Sequence, residues 1–232
     1  MDWDERAERA HYVEAVLWSH KFNQQRGVPL TTWVSTFRDG MPCTLDGDDN
    51  CGSFNWCCKV RFNDGVQWMV RFSVPGRVMN GDEKVKHEVA TIRFVRRNTT
   101  IPVPSVRAWG LAADNPLGLG PFIIADFIEG ESLGAILKDS ASGVLRSDIS
   151  HDDLDTIYRQ IANIILELSR FNFPRIGSMS EMSDGSVTID SRPVTLRAHE
   201  IASHGGVDVN CMLILFSLAS LILITYFQVL PL

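Results

Sequence analysis

The sequence predicts an α+β protein in which an antiparallel sheet packs against helices, and three stretches carry that expectation. Between residues 54 and 74, Phe54, Trp56, Cys58, Val60 and Phe62 alternate with Asn55, Cys57, Lys59 and Arg61. After Asn63-Asp64-Gly65 the alternation resumes at Val66, Trp68, Val70, Phe72 and Val74. A side-chain period of two broken by Asp-Gly is the signature of a half-buried hairpin. Between residues 150 and 171, Leu154, Ile157, Ile161, Ile164, Ile165, Leu168 and Phe171 recur at helical spacing, and Ser150 with Asp153 opens the stripe as a capping-box variant. Residues 211–230 carry no charge and are dominated by Leu, Ile, Phe and Val. A C-terminal apolar helix of that length rises about 30 Å, the thickness of a bilayer core.

Taken in order, residues 4–23 are the first expected helix. Ala7, Ala10, Val13, Val16 and Leu17 recur at three- and four-residue intervals, and Gly27-Val28-Pro29 supplies a stop. Such a helix packs on the outside of the sheet. The run Asp46-Gly47-Asp48-Asp49-Asn50 lacks the spacing of a calcium loop and its terminal Glu, so it reads as a polar surface loop. Gly52-Ser53 opens the first hairpin strand. On the second strand Arg71 lies on the face opposite the large apolar side chains. Pro75-Gly76 ends that strand, and a helix follows in which Val85, Val89 and Ile92 form one stripe with Glu88 beside it. A cation on the strand and a carboxylate on the helix are therefore placed to pair over a cleft. Lys84, Lys86, Arg93, Arg96 and Arg97 fall at helical spacing on the same helix and read as a solvated face. Pro102 and Pro104 force an extended path into a strand over 103–109. Residues 121–127 are an apolar run of strand length, buried on both faces and ended by Ile128-Glu129-Gly130. Pro174 and Gly177 end the long helix, and a short strand is expected over 186–189.

With 232 residues, 45% of them hydrophobic and 22% charged, the chain is long enough for one sizeable core or two small lobes. A net charge of -6 argues against a broadly basic nucleic-acid binder, and no nucleic-acid partner is expected. There are five cysteines and no C-x-x-C pair. Cys57 and Cys58, adjacent on a strand, point to opposite faces and make poor metal or disulfide partners, which fits a reducing compartment. The first residues lack the basic and apolar regions of a signal peptide.

The order of hairpin, helix and two strands resembles the small lobe of the protein-kinase-like fold, in particular the aminoglycoside phosphotransferase and choline-kinase-like family. Trp68-Met69-Val70-Arg71 sits where kinases carry Val-Ala-Ile-Lys, and Glu88 sits where the following helix supplies the partner of that lysine. Ile101-Pro102-Val103-Pro104, Phe127-Ile128-Glu129-Gly130-Glu131-Ser132-Leu133, Ile176-Gly177-Ser178 and Arg192-Pro193 look like the same family. The resemblance covers residues 22–195 and implies ATP as cofactor. By resemblance, Gly52 and Ser53 cover the phosphates, Arg71 holds them, Glu88 orients Arg71, and Asp126, Phe127, Ile128 and Glu129 frame the adenine at a hinge. Arginine in place of lysine keeps the charge but offers a planar fork. The plainer alternatives are an ordinary turn at Gly52-Ser53 and a strand that simply ends at 126–129. The implied organisation is a small lobe and hinge over 1–130, the beginning of a helical large lobe over 131–196, a linker over 197–210 and a transmembrane helix over 211–230.

The family pattern stops after Arg192. Phosphoryl transfer also requires a catalytic carboxylate and Asn and Asp side chains that hold magnesium. His204, Asp208 and Asn210 have the right types at the wrong spacing, so no catalytic residue is assigned, and magnesium lacks its ligands. Two functions follow. One is ATP-dependent phosphoryl transfer to the hydroxyl of a small-molecule acceptor, inactive or incomplete in this sequence; the other is a membrane-anchored pseudokinase or interaction module without catalysis. A third reading leaves Ile157, Ile161 and Leu168 exposed and the chain prone to aggregate. Arg192 and Arg197 precede 211–230 and no cation follows, which predicts a single-pass C-terminal anchor with the main body in the cytosol. A buried core helix is the alternative, as is a truncated or misassembled sequence, which would leave the protein cytoplasmic.

Overall fold

A computed structural model describes residues 3–78, 80–139 and 142–192, and within them the protein is α+β with an antiparallel sheet and helices. Helices α1 (Trp3–Gln25) and α2 (Val28–Thr36) precede strands β1 (Cys43–Leu45), β2 (Asn50–Cys51), β3 (Asn55–Phe62) and β4 (Gln67–Ser73). Then come α3 (Gly81–Asn98), β5 (Val106–Gly110), β6 (Phe122–Asp126), α4 (Leu133–Leu137), α5 (His151–Leu168), β7 (Ser178–Glu181) and β8 (Val187–Ser191). The main sheet runs β1-β3-β4-β6-β5, with β2 also paired to β3; β7 and β8 form a separate hairpin. The strand that follows β5 in sequence is thus inserted between β4 and β5.

The β3–β4 hairpin forms where the alternation places it. Its turn is closed by Gly65 at φ 88, a conformation that glycine adopts without a Cβ penalty, and by the Asp64 carboxylate accepting from the Val66 N–H. Register pairs Trp56 with Phe72, Cys58 with Val70 and Val60 with Trp68, so these side chains share one face. That face is covered by α1 and α2 through Trp18, Phe22, Leu30 and Val34. Each fully buried aromatic or aliphatic side chain there contributes about 1.5–3 kcal/mol relative to exposure. The Trp18 indole N–H also finds an acceptor, the Leu119 carbonyl at 2.9 Å.

The stop expected at Gly27-Val28-Pro29 is only half of what happens. Helix α1 ends at Gln25, but Pro29 lies in the first turn of α2. Proline suits that position because the N–H it lacks would have no intrahelical acceptor.

Helix α3 lies on the opposite face of the sheet, with Val85 and Val89 against Ile123. Asn80 caps it by accepting from the Glu83 N–H at 3.0 Å, while Asp82 and Glu83 in the first turn and Arg96 and Arg97 in the last complement the helix dipole. Its far side is covered as well: Ala90 meets Met179 and Ile189 of the β7–β8 hairpin, and Ile92 and Val95 meet Ile101, Val103 and Leu168. The expected solvated basic face holds in part. Lys86, Arg96 and Arg97 are exposed, but Arg93 and Arg97 pair with Glu181, Arg96 donates to the Val103 carbonyl, and Lys84 turns inward. Leu168, expected to be exposed on α5, is 5% exposed, while Ile157 and Ile161 are half-buried. The expected linker over 197–210 and apolar helix over 211–230 lie outside the described residues.

Candidate functional site

Register puts Arg71 of β4 opposite Cys57 of β3 and Ile123 of β6, on the face that α3 covers. Four residues, about one helical turn, separate Lys84 from Glu88 on α3, so both side chains descend to the same patch of sheet. Glu88 then engages two cations at once. Its Oε1 lies 2.6 Å from Arg71 Nη2, and its Oε2 accepts from Lys84 Nζ at 3.0 Å. Lys84 Nζ also donates to Asn55 Oδ1 at 2.9 Å, which ties the helix to the first residue of β3. The three charged side chains retain 13%, 6% and 16% exposure for Arg71, Glu88 and Lys84.

The electrostatics follow from that burial. Loss of solvent pushes the Glu88 carboxyl up, but Arg71 and then Lys84 outweigh it and hold the group below its ordinary range. Burial pulls the Lys84 ammonium down, against the attraction of Glu88. The Cys57 thiol, next to Arg71 across the strands, is pushed up by burial, with Arg71 opposing. It is thus held as a neutral thiol rather than a nucleophilic thiolate.

Arg71 and Glu88 are brought together as the spacing implies. Gly52 and Ser53 sit at the β2–β3 connection, at the end of β3 where Asn55 pairs with Ser73, two residues along β4 from Arg71. The Gly52 N–H donates to the Asn55 carbonyl at 2.9 Å, and Arg77 donates to the Gly52 carbonyl at 3.0 Å. A Cβ built on Gly52 would meet only the Asn55 carbonyl at 3.7 Å, an ordinary contact, so space does not dictate glycine there.

The four hinge residues divide. Asp126 pairs with Trp68, so its carboxylate lies on the α1–α2 face, bonded to Arg107 at 2.6 and 3.0 Å, away from Arg71. Its N–H is taken by the Ser105 carbonyl and that of Phe127 by the Gln67 carbonyl. The Phe127 ring lies under the Lys59 ammonium at 4.6 Å, while Ile128 and Glu129 are exposed. Three residues of β6 separate Ile123, opposite Arg71, from Asp126, a distance of roughly 10 Å along the strand.

Lys84 and Arg77 are the residues that sequence reasoning missed. Lys84 precedes Glu88 by four, the ordinary spacing of a helical ion pair, and that was the available signal. Among the described residues no group of three or more His, Cys, Asp or Glu side chains converges as a metal site.

The fold and site define an α+β lobe with a buried two-cation, one-carboxylate cluster between a sheet and its covering helix. No family model matches the sequence. Among curated proteins the chain is similar to the Subtelomeric hrmA-associated cluster protein of Aspergillus fumigatus, with 29% identity over 133 residues, covering 57% of this chain and 24% of that protein. It is also similar to Altered inheritance of mitochondria protein 9, mitochondrial, from two yeasts. The identity is 31% over 127 residues in Komagataella phaffii, covering 52% of this chain and 19% of the relative. In Debaryomyces hansenii it is 29% over 147 residues, covering 60% and 22%. The chain thus spans a quarter or less of the length of these relatives.

These findings correct the description of the chain as a transferase: the yeast relatives are named for mitochondrial inheritance and not as kinases. Among the described residues no helix is long and apolar enough to cross a membrane, and the expected span over 211–230 lies outside them.

Proposed function

We propose that the sheet and α3 form the small lobe of the protein-kinase-like fold, of the aminoglycoside phosphotransferase and choline-kinase-like kind, and that this lobe holds the phosphates of ATP. The observation that carries the reading is the Arg71–Glu88 pair, buried on the sheet face under α3. A carboxylate that fixes one donor of a guanidinium leaves four others to meet phosphate oxygens. Among the described residues those donors have no other partner. Arg71 lies between the Gly52-Ser53 turn and residues 127–129, which gives a nucleotide a phosphate end and a base end on one face. Met69, Ala125 and Phe127 supply the apolar ground for a base. In this reading the lobe contributes nucleotide positioning.

The test is ATP affinity of the full chain and of Arg71→Ala, measured by titration calorimetry, with urea unfolding as a check of the fold. A loss of at least about ten-fold is expected for a charge-assisted contact. Unchanged affinity in a folded variant would sink the assignment. From the name of the yeast relatives we also propose a mitochondrial address for this chain. Cell fractionation that finds it wholly outside mitochondria would remove that address.

A further inference from the structure

We infer that Lys84 is a second phosphate-contacting cation, acting beside Arg71 on the same polyphosphate. This rests on the nucleotide reading of the site. Charge is the first argument. Two cations and one carboxylate meet in the cluster, which leaves one positive charge without a counter-ion among the described residues. The other acidic residues of the helix's first turn are engaged elsewhere: Glu83 is bonded to Arg192 at 2.6 and 2.8 Å, and Asp82 accepts from the Ala112 N–H. A largely buried cation without compensation is costly, and pairing Glu88 needs only one of the two. An anion bound between Arg71 and Lys84 supplies the missing charge.

Donor geometry is the second argument. An ammonium has three hydrogens, and Lys84 spends two, on Glu88 Oε2 and Asn55 Oδ1. Among the described residues neither its third hydrogen nor the remaining donors of Arg71 have a partner, and the partnerless Arg71 Nε and Nη1 are not sealed from solvent. Both cations are held by opposite oxygens of one carboxylate, so they stand side by side rather than at separate points. Asn55 follows the Gly52-Ser53 turn by two residues, which brings Lys84 to the turn end of the site. A pair of fixed neighbouring cations suits adjacent phosphates of a di- or triphosphate and gives a monophosphate less.

A role limited to holding Glu88 in place makes a different prediction, and a double-mutant cycle separates the two. ATP, ADP and AMP affinities are measured on the full chain, on Lys84→Gln, on Arg71→Ala and on the double variant. Lys84→Gln is expected to lose about ten-fold or more for ATP and ADP and much less for AMP, and to lose affinity again in the Arg71→Ala background. No further loss in that background would mean that Lys84 acts only through Arg71, and the inference falls. A loss for Arg71→Ala with none for Lys84→Gln also overturns it while leaving the nucleotide reading intact. No loss in either removes both. A measurement on the unmutated chain stands apart from any folding defect. Acetylation of Lys84 by an amine-reactive reagent, followed by peptide mass spectrometry, is expected to fall several-fold in saturating ATP or pyrophosphate; unchanged labelling with nucleotide bound overturns the inference.

Discussion

Replacing Glu88 by glutamine tests the centre of the cluster while nearly preserving its shape. The substitution removes the charge shared by Arg71 Nη2 at 2.6 Å and Lys84 Nζ at 3.0 Å, and puts an amide donor against one of the two cations. Breaking a buried ion pair by neutralising one partner costs about 3–5 kcal/mol. Arg71 and Lys84 keep 13% and 16% of their side-chain surface in solvent, so part of the stranded charge relaxes into water. The low end, about 3 kcal/mol, is the expected loss. For a chain of this size that corresponds to a melting temperature lower by roughly 6–12 °C in far-ultraviolet circular dichroism at neutral pH. The dependence on acid gives a second handle. Glu88 has its carboxyl held below the ordinary range, because Arg71 and Lys84 outweigh the cost of burial. A carboxyl depressed by folding contributes stability that is complete above its unfolded value and is lost as pH falls through the folded one. The gap between the parent and Glu88→Gln is therefore full at neutral pH and closes in acid, where the parent's own Glu88 takes up a proton. A neutral-pH melting temperature that does not move, or a gap that stays constant into acid, would refute the reasoning.

The packing of α1 on the end of β4 is tested at Gly76. It sits at φ 77, and a Cβ built there would lie 2.2 Å from the backbone oxygen of His11, so Gly76→Ala adds left-handed strain and a clash with main chain. Together these are expected to cost about 3 kcal/mol in urea unfolding. Gly65→Ala has a similar φ of 88 with nothing within 4 Å of the added carbon, and is expected to cost only about 1–2 kcal/mol. Equal losses at the two glycines would mean that the close approach of α1 contributes nothing.

Sequence alone reached the hairpin, the face of Arg71 and the stripe of α3, because each depends on a local period that a single partner surface explains. Phe72 and Val70 alternate with Arg71 regardless of what covers them. What escaped depended on an unseen second partner. Lys84 fell within a basic helical run, and spacing along one helix cannot say which cation meets a strand and which meets water; Asn55 and Glu88 decide that in space. Strand β7 gives almost no pattern, since Met179 is its only apolar residue, yet it covers α3 at Ala90. Pro29 was legible as punctuation but not as the opening of a helix, because proline ends one helix and starts another for the same reason: it offers no N–H. At the hinge, the family resemblance implied residues 126–129 as a group, and it could not say that the pairing of Asp126 with Trp68 places its carboxylate on the α1–α2 face.

Helix α3 is held from both sides, and that explains how a cluster with surplus positive charge keeps its geometry. Glu88 faces the sheet, whereas its neighbour His87 turns to the β7–β8 hairpin, with Nδ1 2.8 Å from the Met179 carbonyl oxygen, an acceptor that assigns the hydrogen to Nδ1. Arg93 and Arg97 bracket Glu181 of the same hairpin, and Glu83 meets Arg192 just past β8 at 2.6 Å. Glu88, paired with both Arg71 and Lys84, draws the first turns of α3 onto the sheet. The hairpin contacts hold the helix from the far side and do so with charges of their own, not with the apolar stripe alone. The position of Glu88 against Arg71 thus draws on residues 178–192 as well as on the sheet.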